Sequence, residues 1–283
     1  MKTSSILILM ISLTVFFCNN TQGQENKFTK TYDLNYSIEQ KTAFKLSNKS
    51  YFVEYKKVND DVNKFQQSNF QMELKYYILN SDNEGLEFMV EYIDRQRENY
   101  YKNQIQTTDW VNLKGGKIKY NLSKKGLVSD FKDFNKLNTK LSDENIESTD
   151  QLKEEIIHLF PALPDNQVTI GDKWYTSFGG EEGFESFTVE YILLDELIFN
   201  GTECVKIIAN YTTEESYEVT MGGKKYQVVS ESTGHDIYYF AYKKGILLSR
   251  YSIGNGTTDI YDLNKVLKQQ RLSNVLYETN IVF

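Results

Sequence analysis

The chain has 283 residues, enough for one large or two ordinary domains, and 40% apolar against 25% charged residues marks it as globular, which excludes a disordered tail or linker protein. A formal charge of −7 argues against a surface for nucleic acid or for anionic membranes. With 14% aromatics, chiefly 21 Tyr and 17 Phe, the composition favours pleated structure, where rings pack on a half-buried surface.

Residues 1–23 are expected to be a signal peptide. Lys2 supplies the positive end, and Ile6 to Phe17 form an apolar run too short to span a bilayer comfortably. Thr21 and Gly23 place small residues where a signal peptidase reads, so the mature chain is expected to start at Gln24, one unit more acidic after losing Lys2. The alternative is lipidation at Cys18, which would supply the one membrane attachment expected here. Phe17 weighs against it, because the lipoprotein pathway wants a small residue at that position. Without Cys18, Cys204 has no partner for a disulfide. It lies in a strand-like run and reads as a buried, inert thiol.

An N-terminal β unit is expected over residues 24–142. Tyr32, Leu34, Tyr36 and Ile38 alternate with polar residues as in a half-buried strand, and Tyr51, Val53 and Tyr55 repeat the pattern. Asn59 to Ser68 is polar and reads as a loop. Phe70, Met72, Leu74, Tyr76 and Ile78, the turn Asn80 to Gly85, and Leu86, Phe88, Val90 and Tyr92 predict a β-hairpin. Gly115-Gly116 opens a strand through Ile118, Tyr120 and Leu122, which Lys124-Lys125-Gly126 turns back into Leu127 to Phe131.

Residues 143–174 change character. Leu152, Ile156 and Leu159 have helical spacing, and Ser148 with Gln151 has the form of a capping box. Pro161 ends the helix by biasing Phe160 away from α geometry. Phe160, Pro161, Pro164, Gly171, Asp172 and Trp174 are expected to form a structural joint, with Val168 and Ile170 restarting the strand period and Gly171-Asp172 turning Trp174 onto the core.

A C-terminal β unit, 175–283, resembles the first. Ser186 to Tyr191 looks like Asn69 to Leu74, and Tyr242 to Leu247 echoes Ser123 to Val128, which suggests a partial, diverged duplication. Hairpins are expected across Met221 to Lys224 and around Lys243-Lys244-Gly245. Asp262 to Leu272 has both a helical and an alternating reading, and Val275 to Phe283 reads as a docked strand. The fold class is therefore mainly β: two curved antiparallel units joined by a short helix and a proline segment.

Chemistry is sparse. His158 reads as a residue at a helix end and His235 as a turn histidine, so a catalytic triad or a histidine-rich metal site has little to draw on. Neither a cofactor nor a metal is expected, and no catalytic residue is assigned. Glu181 and Glu182, with Glu185 and Glu190 nearby, could serve a carboxylate-dependent hydrolase, but glycines flank the first two and a solvated loop is the simpler reading. Alternating aromatics on curved strands can instead line a cavity for a greasy ligand, or simply fill a core.

The pattern Phe160-Pro161 to Gly171-Asp172-Lys173-Trp174, followed by Tyr238-Tyr239-Phe240 before Lys244-Gly245, resembles a family of exported bacterial proteins of unknown function. That resemblance covers most of the mature chain. It implies a β-rich, often lipid-anchored protein of the periplasm or outside, and it supplies no catalytic residues. By looser similarity it suggests the open half-barrels of periplasmic lipoprotein carriers. The expectation is an exported, non-enzymatic protein that binds a hydrophobic ligand or an envelope protein. A carboxylate hydrolase and a structural or surface-assembly protein are the alternatives.

Overall fold

The computed structural model describes residues 30–38, 43–58, 61–101, 104–109, 114–133, 156–178 and 187–282. Among these, the first half contributes β1 (Ala43–Val58), β2 (Asp61–Ser81), β3 (Gly85–Tyr101), β4 (Gln104–Asp109), β5 (Lys117–Ser123) and β6 (Val128–Lys132). The second half contributes β7 (Lys173–Phe178), β8 (Phe187–Phe199), β9 (Thr202–Met221), β10 (Lys224–Ala241), β11 (Ile246–Asp262) and β12 (Leu267–Val282). All twelve belong to one curved, open antiparallel sheet in the order β6-β5-β3-β2-β1-β12-β11-β10-β9-β8-β7, with β4 pairing β3 to one side. The two halves are continuous through β1 and β12, where Tyr51 faces Leu276 and Leu46 faces Ile281. The mainly-β reading holds, and the terminal run from Val275 is a central strand of the sheet. Among the described residues no helix is long and apolar enough to cross a membrane.

The alternation seen in the sequence sets which face is inside. Leu74, Tyr76 and Ile78 on β2, Leu86, Phe88, Val90 and Tyr92 on β3, and Ile118, Tyr120 and Leu122 on β5 are all buried. The hairpin of β2 and β3 turns at Asp82, whose side chain accepts hydrogen bonds from the backbone of Glu84 (2.8 Å) and Gly85 (3.2 Å).

Several local expectations change. Within the stretch read as a loop, Asp61 to Ser68 is strand: β2 runs from Asp61, because backbone pairing with β1 continues through this mostly polar stretch. Asp262 begins a turn and β12 starts at Leu267, so the alternating reading prevails there. The expected helix Ser148 to Phe160 falls mostly outside the described residues, and only Ile156 and Ile157 are seen as helical. The leader and Cys18 also lie outside them.

The segment Tyr32 to Ile38 keeps its predicted alternation, with Tyr32, Leu34 and Tyr36 buried, but it is no strand of the sheet. Its one β-bridge joins Tyr32 to Val168, which is likewise isolated, so Val168 and Ile170 do not restart a strand. Instead the two Lys-Lys-Gly turns, one from each half, close on it. Tyr36 N–H donates to the Lys124 carbonyl at 2.9 Å, and Ser37 N–H to that of Gly245 at 3.1 Å. Gly126 has φ +86°, and a Cβ there would stand 2.2 Å from the Pro161 carbonyl oxygen, so that turn can approach the proline segment only as glycine.

Candidate functional site

Phe160 to Pro164 lies buried against the inner face of the sheet. Phe160 stacks on Phe88 (6.1 Å between centroids) and meets Tyr36 (5.7 Å) and Tyr76 (6.4 Å) edge-on. The Pro161 carbonyl accepts from the Tyr36 hydroxyl at 3.2 Å, and the Leu163 N–H donates to the Lys125 carbonyl at 2.7 Å. Trp174, stacked on Tyr191, donates its indole N–H to the Ala162 carbonyl at 2.8 Å. Gly171 (φ +97°) turns the chain into β7, and the Asp172 carboxylate accepts from the backbone and hydroxyl of Thr169. Pro164 is buried at the end of this stretch. Phe160 to Pro164 thus form a plug inside the curve of the sheet with Trp174 packed against it, while Gly171 and Asp172 are exposed at the turn beyond.

On the side of the plug facing the second half there is a cavity of about 470 Å³. Its apolar wall includes Phe160, Phe178, Phe187, Val189, Tyr191 and Tyr211. Tyr211 can lie flat because its cross-strand neighbour on β10 is Gly234, where a Cβ would stand 1.9 Å from the Tyr211 ring. The wall continues onto β11, β12 and β1 through Ser252, Thr279 and Asn48.

A buried ion pair stands in that wall. Arg250 on β11 donates to the Asp236 carboxylate on β10 at 2.9 Å, their side chains being 12% and 4% exposed. The same carboxylate oxygen accepts from the Tyr238 hydroxyl at 2.8 Å, and Arg250 also donates to the His158 carbonyl of the plug at 2.6 Å. Asp236 Oδ1 and Arg250 Nε make no hydrogen bond. Burial opposes the Arg250 charge, but Asp236, Tyr238 and Tyr211 outweigh it and hold the guanidinium above its ordinary pKa. Burial pushes Tyr238 well above the usual phenol range and Tyr191 up to about 12. Tyr238 and Tyr191 are therefore held in their neutral form at ordinary pH.

His158 directly follows the helical turn at Ile156 and Ile157 and is half-buried, as the sequence suggested, whereas His235 does not lie where the sequence placed it. The His158 ring lies between Phe178 and Phe187, 5.4 Å from each, at the cavity wall. His235 is not in a turn: it is within β10, pairing with Ile253 on β11, and its Nδ1 is 2.5 Å from the Asn210 side-chain oxygen. Gly234 had suggested a turn, and it serves instead to seat Tyr211. Cys204 is fully buried on β9, and burial raises its thiol pKa. Glu190 faces away from the cavity, on the outer face, where the Tyr175 hydroxyl (2.7 Å) and Lys173 (3.1 Å) hold its carboxyl below the usual range. Glu181, Glu182 and Glu185 lie outside the described residues, among which no group of three or more His, Cys, Asp or Glu is placed to hold a metal ion.

Sequence reasoning missed Asp236 and Arg250. A signal was present: Asp236 shares the strand parity of Tyr238 and Phe240, so a charge was entering the core on the same face as two buried rings.

Fold and site define a curved, open antiparallel sheet with an internal plug and a partly aromatic cavity. No protein-family model matches the chain, and no curated protein matches it in sequence. Among solved structures it is similar to lipovitellin, in a structure concerning lipid-protein interactions, with a TM-score of 0.54 at 10% identity over 87% of this chain and 26% of that one. This chain therefore spans about a quarter of the lipovitellin chain, and the likeness is one of fold. DynF from the dynemicin biosynthesis pathway of Micromonospora chersina aligns over 93% of this chain and 92% of its own at 7% identity, with a TM-score of 0.21, too low to support any comparison.

Proposed function

We propose that this is an exported, non-enzymatic protein that binds a hydrophobic ligand inside the curve of its sheet. The observation that carries the reading is the cavity of about 470 Å³ between the plug and β8 to β12, within the roughly 300–1,000 Å³ range of small-molecule sites. Its rings supply apolar contact, and polar groups such as Asp236, Arg250 and Ser252 are placed to orient a ligand. The fold likeness to lipovitellin, whose structure concerns lipid binding, is consistent with such a use of the sheet. The expected leader and the resemblance of the Phe160 to Trp174 stretch to exported bacterial proteins support an address outside the cytoplasm.

The test is titration of the purified full chain with diphenylhexatriene, an uncharged apolar fluorophore. Saturable binding at one site is expected, with loss on Val189→Trp, which fills the cavity from a buried position on its wall. Absence of saturable binding, or binding untouched by Val189→Trp in a folded variant, overturns the reading.

A further inference from the structure

Resting on that reading, the arrangement around Asp236 and Arg250 narrows the ligand class. We infer that the cavity takes a single-chain amphiphile with an uncharged, hydroxyl-bearing head group, such as a monoacylglycerol or long-chain alcohol, and places that head at the Asp236–Arg250 pair.

The charge balance of the wall is the first reason. Arg250 is already neutralised by Asp236, and Glu215 adds a second carboxylate at the exposed end of the lining. Among the described lining residues there is no lysine or second arginine to receive a carboxylate or phosphate head, which would be desolvated beside Asp236, and an ammonium head would be desolvated beside Arg250. Two of the five Arg250 N–H donors are already committed, Nη1 to the His158 carbonyl and Nη2 to Asp236, so the guanidinium is held in place before any ligand arrives.

The second reason is the pair of buried atoms without a partner, Asp236 Oδ1 and Arg250 Nε. One is an acceptor and the other a donor, and a hydroxyl, which both donates and accepts, can serve either of them. Both atoms are shielded as the side chains stand. The terminal torsion of an aspartate is broad, however, and a modest rotation presents Oδ1 to a head group. Ser252, Thr279 and Asn48 bring further uncharged polar groups to the same wall. At about 470 Å³ the cavity is of a size to take one acyl chain.

The experiment compares 1-monooleoylglycerol, oleyl alcohol and oleate, which share one chain, on the full-length protein at pH 8 by native mass spectrometry and calorimetry. Both uncharged probes should bind at least about tenfold more tightly than oleate. In Asp236→Leu/Arg250→Met, which replaces the ion pair by apolar groups of similar size, that preference should collapse while chain binding persists. Oleate binding as tightly as the alcohol to the wild-type chain overturns the head-group inference and leaves the cavity reading standing. A preference surviving in the double variant also overturns it. Failure of all three probes and of diphenylhexatriene to bind overturns the cavity reading itself. Should the double variant not fold, the wild-type ranking decides the matter alone.

Discussion

The two halves of the sheet treat the same plug differently. In the first half the inner face carries Phe44, Tyr76, Phe88 and Tyr120, all buried, whose contacts with one another and with Phe160 run from 4.9 to 6.4 Å between centroids. In the second half small residues interrupt the rings of the inner face: Asp236 lies between Ala209 and Ser252 across the strands, and Gly234 between Tyr211 and Gly254. The sheet's curvature serves both, so side-chain volume decides where the cavity lies. Large residues on one side make a core; small residues and an ion pair on the other leave a hollow.

The contrast breaks most visibly at Phe88. Phe88→Ala should cost about 3–5 kcal/mol in chemical denaturation, since the ring is fully buried and contacted on several sides. Phe187→Ala, at the partly exposed cavity wall, should cost no more than about 2 kcal/mol and should weaken ligand binding instead. Equal losses at the two positions would mean that both halves are packed alike. Next in size is Asp236→Ala, which strands the Arg250 charge and should cost about 3 kcal/mol; adding Arg250→Met should recover most of it.

Smaller effects test the plug. Gly126→Ala combines a positive φ with a Cβ 2.2 Å from the Pro161 carbonyl oxygen and should cost about 1–3 kcal/mol by thermal melting. Gly234→Ala should displace the Tyr211 ring into the cavity and lower diphenylhexatriene affinity more than it lowers stability. The least effect is expected at Glu196, where hydrogen bonds from Lys30, Tyr242 and Tyr32 depress the carboxyl from the ordinary 4.5 to about 2. Its folded pKa is lowered, so its contribution is present above about pH 4.5 and lost as the pH falls toward 2. Both partners are solvent-screened, and Glu196→Gln should therefore lower the melting temperature at pH 7 by only about one or two degrees, the difference vanishing near pH 2.

Much of this was legible beforehand, and the reasons are local. The runs from Phe70 to Ile78 and from Leu86 to Tyr92 alternate cleanly because one face is buried, and the turn between them carries its own Asp and Gly signals. Tyr32 to Tyr36 alternates for the same reason, yet its partners are turns and not strands. A period of two reports burial on one side and says nothing about what lies alongside. His235 was misplaced because a glycine in a strand looks like a turn until the ring that covers it is seen. Asp236 and Arg250, fourteen residues apart, meet only through the register of β10 and β11.

By itself, the sequence determined that the chain is pleated, which residues of each strand turn inward, where most hairpins reverse, and that the Phe160 to Trp174 stretch is set apart. Those properties follow from side-chain alternation and turn chemistry, which act between neighbours along the chain. Only the tertiary structure decided that both halves form one sheet, that the proline stretch fills its curve, and that a charged pair lines the remaining hollow. Those outcomes depend on strand order, register and the volume left between distant side chains, none of which is a property of any single segment.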